Sequence, residues 1–171
     1  YGEMQKRCPT TRMANAAVLR EALVKAKNYL DKCEKAAQKA ANGEEAAPPD
    51  RDLKLEALAK VLKREMKARI HAHRADDIMT AIRVLEEFNI DYVIEHCTEG
   101  FMIADILAEK KVKATVGPLL MSRSKMEIIN TTLKNPGILA RAGVKVAIQC
   151  DTSSGTKWLA LHAGLAVREG M

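Results

Sequence analysis

The chain of 171 residues is long enough for one domain with a substantial core, and its 47% hydrophobic and 29% charged residues are typical of a globular protein. No apolar run approaches the roughly 20 residues of a membrane span, which argues against a transmembrane protein. The net charge of +6 is spread without a lysine or arginine block, and aromatic residues make up only 4%, so the pattern favours solvated helix faces over nucleic-acid binding.

The four cysteines, Cys8, Cys33, Cys97 and Cys150, form no C-x-x-C pair. This spacing predicts reduced thiols in a cytoplasmic protein rather than a disulfide framework or a zinc ribbon. The N-terminus has neither the apolar core of a signal peptide nor an initiator methionine. We therefore expect the chain to be a piece of something longer.

Residues 1–66 are predicted to form a helical arm, an insertion before the main fold. A first helix begins at a threonine N-cap near Thr11 and stops at Asn42-Gly43. A linker at 43–50 follows, because its two adjacent prolines cannot continue a helix. A second helix is predicted over 51–66, and its apolar face comprises Leu53, Leu55, Leu58, Val61 and Leu62.

From residue 67 onward, short apolar strands alternate with helical segments. Strands are predicted at 68–71, 92–96, 114–116 and 144–150, and helices at 75–88, 100–109, within 122–133, at 136–142 and from about 154 to 168. This βα rhythm is typical of a parallel sheet. The first strand is followed by no glycine-rich loop, which disfavours a dinucleotide-binding fold. The sequence predicts an α/β fold in which residues 67–171 form a partial TIM (β/α)8 barrel of about four βα units.

Histidines or an aspartate end three of the predicted strands. His71 and His73 form an H-x-H pair, His96 ends the next strand, and Asp151 follows the last one. Because the carboxyl ends of barrel strands open onto one face, these side chains are expected to meet and to bind a metal. Two alternatives remain open: His73 only opens a turn, or Asp151 caps the final helix. A metal site of this kind predicts hydrolysis by activated water.

The pattern resembles the amidohydrolase superfamily, in particular its imidazolonepropionase-like and prolidase-like branch. The matching segments are Arg69–Ile78, Asp91–His96, Val116–Leu120 with Ser122–Lys125, Gly143–Ala147 up to Asp151, and Ala163–Met171. The helical arm also resembles an insertion of this branch. The resemblance covers nearly the whole chain and implies the C-terminal half of the barrel, as a fragment or a separate subunit.

The resemblance implies roles for five residues. His71 corresponds to the fifth-strand metal ligand, and His96 to the sixth-strand histidine, which binds metal or the reacting carbonyl. Asp151 corresponds to the eighth-strand metal ligand and general acid/base. His73 and Arg123 would contact the substrate. The implied cofactor is a divalent metal ion, with zinc as the preferred ion, and the implied substrate is a small-molecule amide.

The chain departs from the family in several features, two of which concern the site. It has no H-x-H on an earlier strand, and Thr152-Ser153 follows Asp151 where the branch often has His-Pro. The first hypothesis is a metal-dependent amidohydrolase acting on a C–N bond of a cyclic amide or dipeptide-like substrate as part of a complete barrel. The second is a non-catalytic half-barrel that assembles with itself or with a partner half. The third, a phosphate-binding domain using helix N-termini, lacks a glycine-rich loop.

Overall fold

The computed structural model of the protein describes residues 7–171. Residues 1–6, at the start of the expected helical arm, lie outside the described residues. The chain divides into two compact units: residues up to 68 together with 83–91, and residues 69–82 together with 92–171. The boundary expected at residue 66 from the sequence stays a prediction.

Two helices dominate the first unit, α1 at Arg12–Ala41 and α2 at Leu53–Leu62. Thr11 caps α1 as predicted, since its hydroxyl accepts a hydrogen bond from the Ala14 amide at 3.1 Å. The prediction for the second helix was too long at its C-terminal end. Helix α2 stops at Leu62 because the chain turns through a left-handed residue, Arg64, with φ 61°. Its predicted apolar face was wrong at Leu53, which is 73% exposed.

Four strands form one sheet in the order β1-β2-β3-β4: β1 is Ala68–Ala72, β2 is Tyr92–His96, β3 is Lys113–Val116 and β4 is Lys145–Ile148. The β2–β3 and β3–β4 pairs are parallel, and they align Ile94 with Ala114 and Ala114 with Val146. The predicted α/β fold with a parallel sheet is confirmed, and the predicted strands are confirmed to within two residues at each end.

Helices follow each strand: α3 at Ala75–Glu87, α4 at Ala104–Glu109, α5 at Asn135–Arg141 and α6 at Leu159–Arg168. Short 3-10 helices precede α4 and α6, at Gly100–Ile103 and Thr156–Trp158, and a third lies at Met126–Ile128. The helix expected within 122–133 is only this 3-10 turn, in a largely exposed segment. The final helix begins five residues later than expected, because Thr152 accepts a hydrogen bond from the Gly155 amide and closes a turn first.

The core of the second unit lies between the sheet and its helices. The predicted inward face of α3 is confirmed, since Ile78, Ala81, Ile82 and Leu85 are all buried, and Ile78 and Ile82 belong to this core. From the sheet and the other helices, the core receives Ile94, Leu107, Ala114, Val116 and Leu139. This packing fixes the strand ends and therefore the side chains that follow them. Within residues 7–171, no helix combines the length and the apolar character needed to cross a bilayer.

Candidate metal centre

Three histidines meet at the carboxyl ends of β1 and β2. His71 lies within β1, His73 directly follows it, and His96 ends β2. One ring nitrogen from each lies within 4.8 Å of the others. The ring centroids of His71 and His96 are 4.2 Å apart, and each of these rings lies 4.7 Å from that of His73. The H-x-H spacing places two rings near one another, and the neighbouring strand adds the third.

His96 is held in one orientation by the residue that follows β3. Its Nδ1 lies 2.7 Å from the carbonyl oxygen of Gly117, so Nδ1 carries the proton and donates it. This leaves the Nε2 lone pair free to bind a metal, as in many metal sites where the second ring nitrogen bonds a carbonyl. The backbone of His96 is left-handed, with φ 67°, and so is that of Cys97, with φ 45°.

His73 is buried beside the other two rings. Its Nδ1 lies 2.8 Å from the Thr98 hydroxyl. Burial, together with the nearby His96 and His71 rings, lowers the pKa of His73 to about 4. Burial, then His96 and Lys125, also lowers the pKa of His71. Near neutral pH both rings are therefore uncharged, which is the form of imidazole that binds metals.

Asp151 lies at the edge of this cluster. Its Oδ2 is 3.6 Å from His96 Nε2, and its side chain is 60% exposed. The residue follows β4 and has a left-handed backbone, with φ 51°. The structure therefore brings together side chains from three strand ends, with Asp151 on the open side.

Arg123 lies on the loop after β3 and lines a cavity of about 600 Å³. Its guanidinium donates to the Thr131 carbonyl at 3.0 Å. The other lining residues are Leu119, Leu120, Met121, Ser122, Thr131, Thr132, Leu133, Lys134 and Glu169. This hydrogen bond therefore holds Arg123 in the wall of the cavity, and it does not involve the histidine cluster.

A polar layer next to the histidines was missed by the sequence analysis. Glu95, whose side chain is 10% exposed, accepts a hydrogen bond from Arg69 Nε at 2.6 Å and another from the Thr115 hydroxyl. The Arg69 bond, and then the Thr115 bond, lower the pKa of Glu95 despite its burial. The sequence signal was a carboxylate inside an apolar strand, directly before His96.

Gln149 joins this polar layer to the histidine cluster. With its amide oriented to satisfy the hydrogen-bond network, Gln149 Nε2 donates to Glu95 Oε2 at 3.1 Å. Its Oε1 then accepts from the His96 backbone amide at 3.2 Å. Gln149 therefore links the carboxylate of one strand to the ligand-bearing end of the same strand. Nothing in the sequence pattern distinguished this residue.

The structure is similar to a crystal structure of an amidohydrolase from Thermotoga maritima MSB8. The two chains have a TM-score of 0.91 and 42% sequence identity over 99% of this chain. The predicted resemblance to the amidohydrolases is confirmed. The chain spans 43% of that amidohydrolase, so the similarity concerns less than half of it. No family model matches the chain, and no curated protein matches it either.

The donor set at the strand ends fits the divalent metal typical of amidohydrolases. The close imidazole nitrogens are ligands that zinc-class ions accept. Two of the three rings have a second nitrogen held by a hydrogen bond, to Gly117 and to Thr98, which fixes ring orientation. The chain therefore carries an α/β fold that matches part of an amidohydrolase and a histidine cluster suited to a metal.

Proposed function

We propose that the chain is part of a metal-dependent amidohydrolase that hydrolyses a C–N bond of a cyclic amide or dipeptide-like substrate. The observation that carries this proposal is the histidine cluster, in which three ring nitrogens lie within 4.8 Å at adjacent strand ends. The similarity to a Thermotoga amidohydrolase supports the same class of reaction.

His71, His96 and Asp151 are the proposed metal ligands, with zinc as the proposed ion. The 3.6 Å separation of Asp151 from His96 Nε2 supports a shared ion. The sequence favoured a substrate contact for His73. Its place within the cluster also supports a role as a third imidazole ligand.

A zinc-class ion, when bound, polarises a carbonyl group and lowers the pKa of a water molecule. The residues of this chain contribute orientation and proton transfer. His96 keeps its proton on Nδ1, toward Gly117, and presents Nε2 to the site. Asp151 is the proposed general base and acid: its exposed Oδ2 accepts a proton from water and passes it to the leaving amine.

Arg123 is the proposed substrate-binding residue. It lines the cavity of about 600 Å³ beside the loop that follows β3. This volume suits a small amide or a dipeptide-like molecule, and the lining residues do not include the histidines or Asp151. Its guanidinium can donate to a carbonyl or carboxylate oxygen of such a substrate.

The complete site is proposed to need further strands. The chain spans 43% of the similar amidohydrolase, and in residues 7–171 β1 and β4 each have a neighbouring strand on one side only. We infer that about four βα units of a TIM barrel are present, and that the remaining strands come from a further segment or partner chain.

The four cysteines are free, which supports the expected cytoplasmic location.

Metal content per chain, measured by elemental analysis of the protein as isolated, tests the metal proposal. About one tightly held divalent ion per chain is expected, and His71→Asn should remove most of it. The matched control is His162→Asn, because His162 is also buried, at 3% exposure, but its Nδ1 accepts from the Leu119 amide outside the cluster. Unchanged metal content in His71→Asn would contradict the proposal.

A non-catalytic assembly role is the second candidate. It is favoured by the two edge strands, β1 and β4, each of which pairs with one neighbour within residues 7–171. In this case the chain would self-associate or bind a partner through β1 or β4 without hydrolysing amides. Native mass and a hydrolysis screen over amides and dipeptides separate the two candidates. A metal-bearing protein that hydrolyses an amide would exclude the assembly role, whereas a metal-free oligomer would support it.

A further inference from the structure

The turn after β2 places two of the three histidine rings. His96 and Cys97 both have a left-handed backbone, with φ 67° and 45°, a conformation that residues other than glycine rarely adopt. A left-handed backbone at such residues is maintained only where surrounding contacts hold it in place. The Cys97 amide donates to the Ala72 carbonyl at 3.1 Å, and the Glu99 amide donates to the His73 carbonyl at 2.8 Å. These backbone bonds attach the turn to β1, and within the chain that follows, the Gly100 amide donates to the Cys97 carbonyl at 2.9 Å.

Asn135, the first residue of α5, adds side-chain hydrogen bonds to two carbonyl groups of this turn. Its Nδ2 donates to the Cys97 carbonyl at 2.9 Å and to the Thr98 carbonyl at 3.2 Å. The side chain is 2% exposed, and its Oδ1 has no hydrogen-bond partner within residues 7–171. An unpaired buried acceptor costs stability, so a leucine of similar size would suit a purely packing role better. The two donated bonds are therefore the distinctive contribution of Asn135.

Both bonds lead to the histidine cluster. The Cys97 carbonyl belongs to the peptide between Cys97 and Thr98, so this bond holds the backbone directly after His96. Thr98 carries the hydroxyl that lies 2.8 Å from His73 Nδ1. We propose that Asn135 is a positioning residue that holds the 96–98 turn and thereby aims His96 and His73 toward His71. The effect on metal binding rests on the proposed function, but the effect on ring geometry does not.

The test compares three variants of the full chain. Asn135→Leu keeps the approximate size and removes both donors, and Asn135→Ala removes the same donors without the risk of a clash. Leu139→Val is the matched control, because Leu139 is a fully buried residue of the same helix whose methyl groups lie close to Gly100, two residues after the turn. This control weakens packing against the turn but keeps the bonds from Asn135.

Each variant is characterised by two measurements, the geometry of the imidazole rings and the affinity for Co²⁺. In the metal-free chain, NMR records the proton and nitrogen shifts of the imidazole rings and the NOEs among His71, His73 and His96. Titration with Co²⁺ then gives the metal affinity. The two Asn135 variants should lose the NOEs between His96 and the other rings and bind Co²⁺ about 10-fold more weakly. Leu139→Val should lower Tm while keeping the NOEs and the Co²⁺ affinity.

Retention of the ring NOEs in both Asn135 variants would overturn the proposal. Equal loss in Leu139→Val would also overturn it, because ring geometry would then follow general packing. If the unmodified chain binds no Co²⁺ but loses its ring NOEs on substitution of Asn135, the positioning role stands and the metal proposal fails.

Discussion

His96 Nδ1 lies 2.7 Å from the carbonyl oxygen of Gly117, so the ring at the end of β2 is fixed by the residue that follows β3. The bond makes the orientation of a proposed metal ligand depend on the packing of two strands rather than on its own strand alone. It also selects the tautomer that leaves Nε2 unprotonated. The backbone at Gly117 is consequently part of the site, although it has no side chain.

Replacement of Gly117 by alanine is expected to disturb both stability and the site. Gly117 has φ +136°, and an added Cβ would overlap the Gln149 carbonyl oxygen. We expect Gly117→Ala to lower the free energy of unfolding by about 3 kcal/mol, since strain and overlap add. Gly143→Ala is the control, because Gly143 also has positive φ, at +97°, but has no atom within 4 Å of an added Cβ. Equal urea midpoints for the two variants would show that the overlap is relieved at no cost.

The carboxylate of Glu95 is expected to stabilise the sheet through the hydrogen bonds it accepts. Glu95→Gln keeps the shape but offers one oxygen to both Arg69 and Thr115, so we expect a loss of about 1 to 3 kcal/mol in unfolding free energy. Arg69→Gln is the control, and a loss below about 1 kcal/mol is expected because the Arg69 side chain is 69% exposed. Denaturant unfolding measures both, and a larger effect at Arg69 would contradict the central role of Glu95.

The metal-free chain is expected to lose stability in mild acid. The pKa of His73 is lowered from 6.5 to about 4, so between these values the unfolded state binds a proton that the folded state does not. The free energy of unfolding therefore falls as the pH falls from about 6.5 toward 4. The lowered pKa of His71 acts in the same direction.

Urea midpoints of the chelator-treated protein at several pH values measure this slope. His73→Asn should make the slope shallower, because the substituted side chain no longer titrates. The Glu95 carboxylate, whose pKa is lowered from 4.5, adds its own acid loss only at and below about that pH, so the window above it reports the histidines. A midpoint that is constant between pH 6.5 and 5 would contradict the assignment.

Local features of this chain were predictable because their physical causes lie within a few residues. The Thr11 cap involves an amide three residues away, and the buried face of α3 follows the helical period. The strands of the sheet followed from short apolar runs at βα spacing, and so did the expectation that His71, His96 and Asp151 lie at strand ends. The same local reasoning was wrong about Leu53, because a pattern gives the apolar face of a helix but not what covers it.

The sequence by itself thus determined the alternation of strands and helices and the kind of side chains at the strand ends. Only the tertiary structure decided how those side chains are held. The Gly117 carbonyl is 21 residues from His96, and Asn135 is 38 residues from Cys97. No periodicity connects such positions, because each contact depends on which strands and helices become neighbours when the apolar core is packed. The kinds of metal-binding side chain were therefore predictable from the sequence, whereas the tautomers, the burial and the supporting hydrogen bonds of these side chains depend on packing.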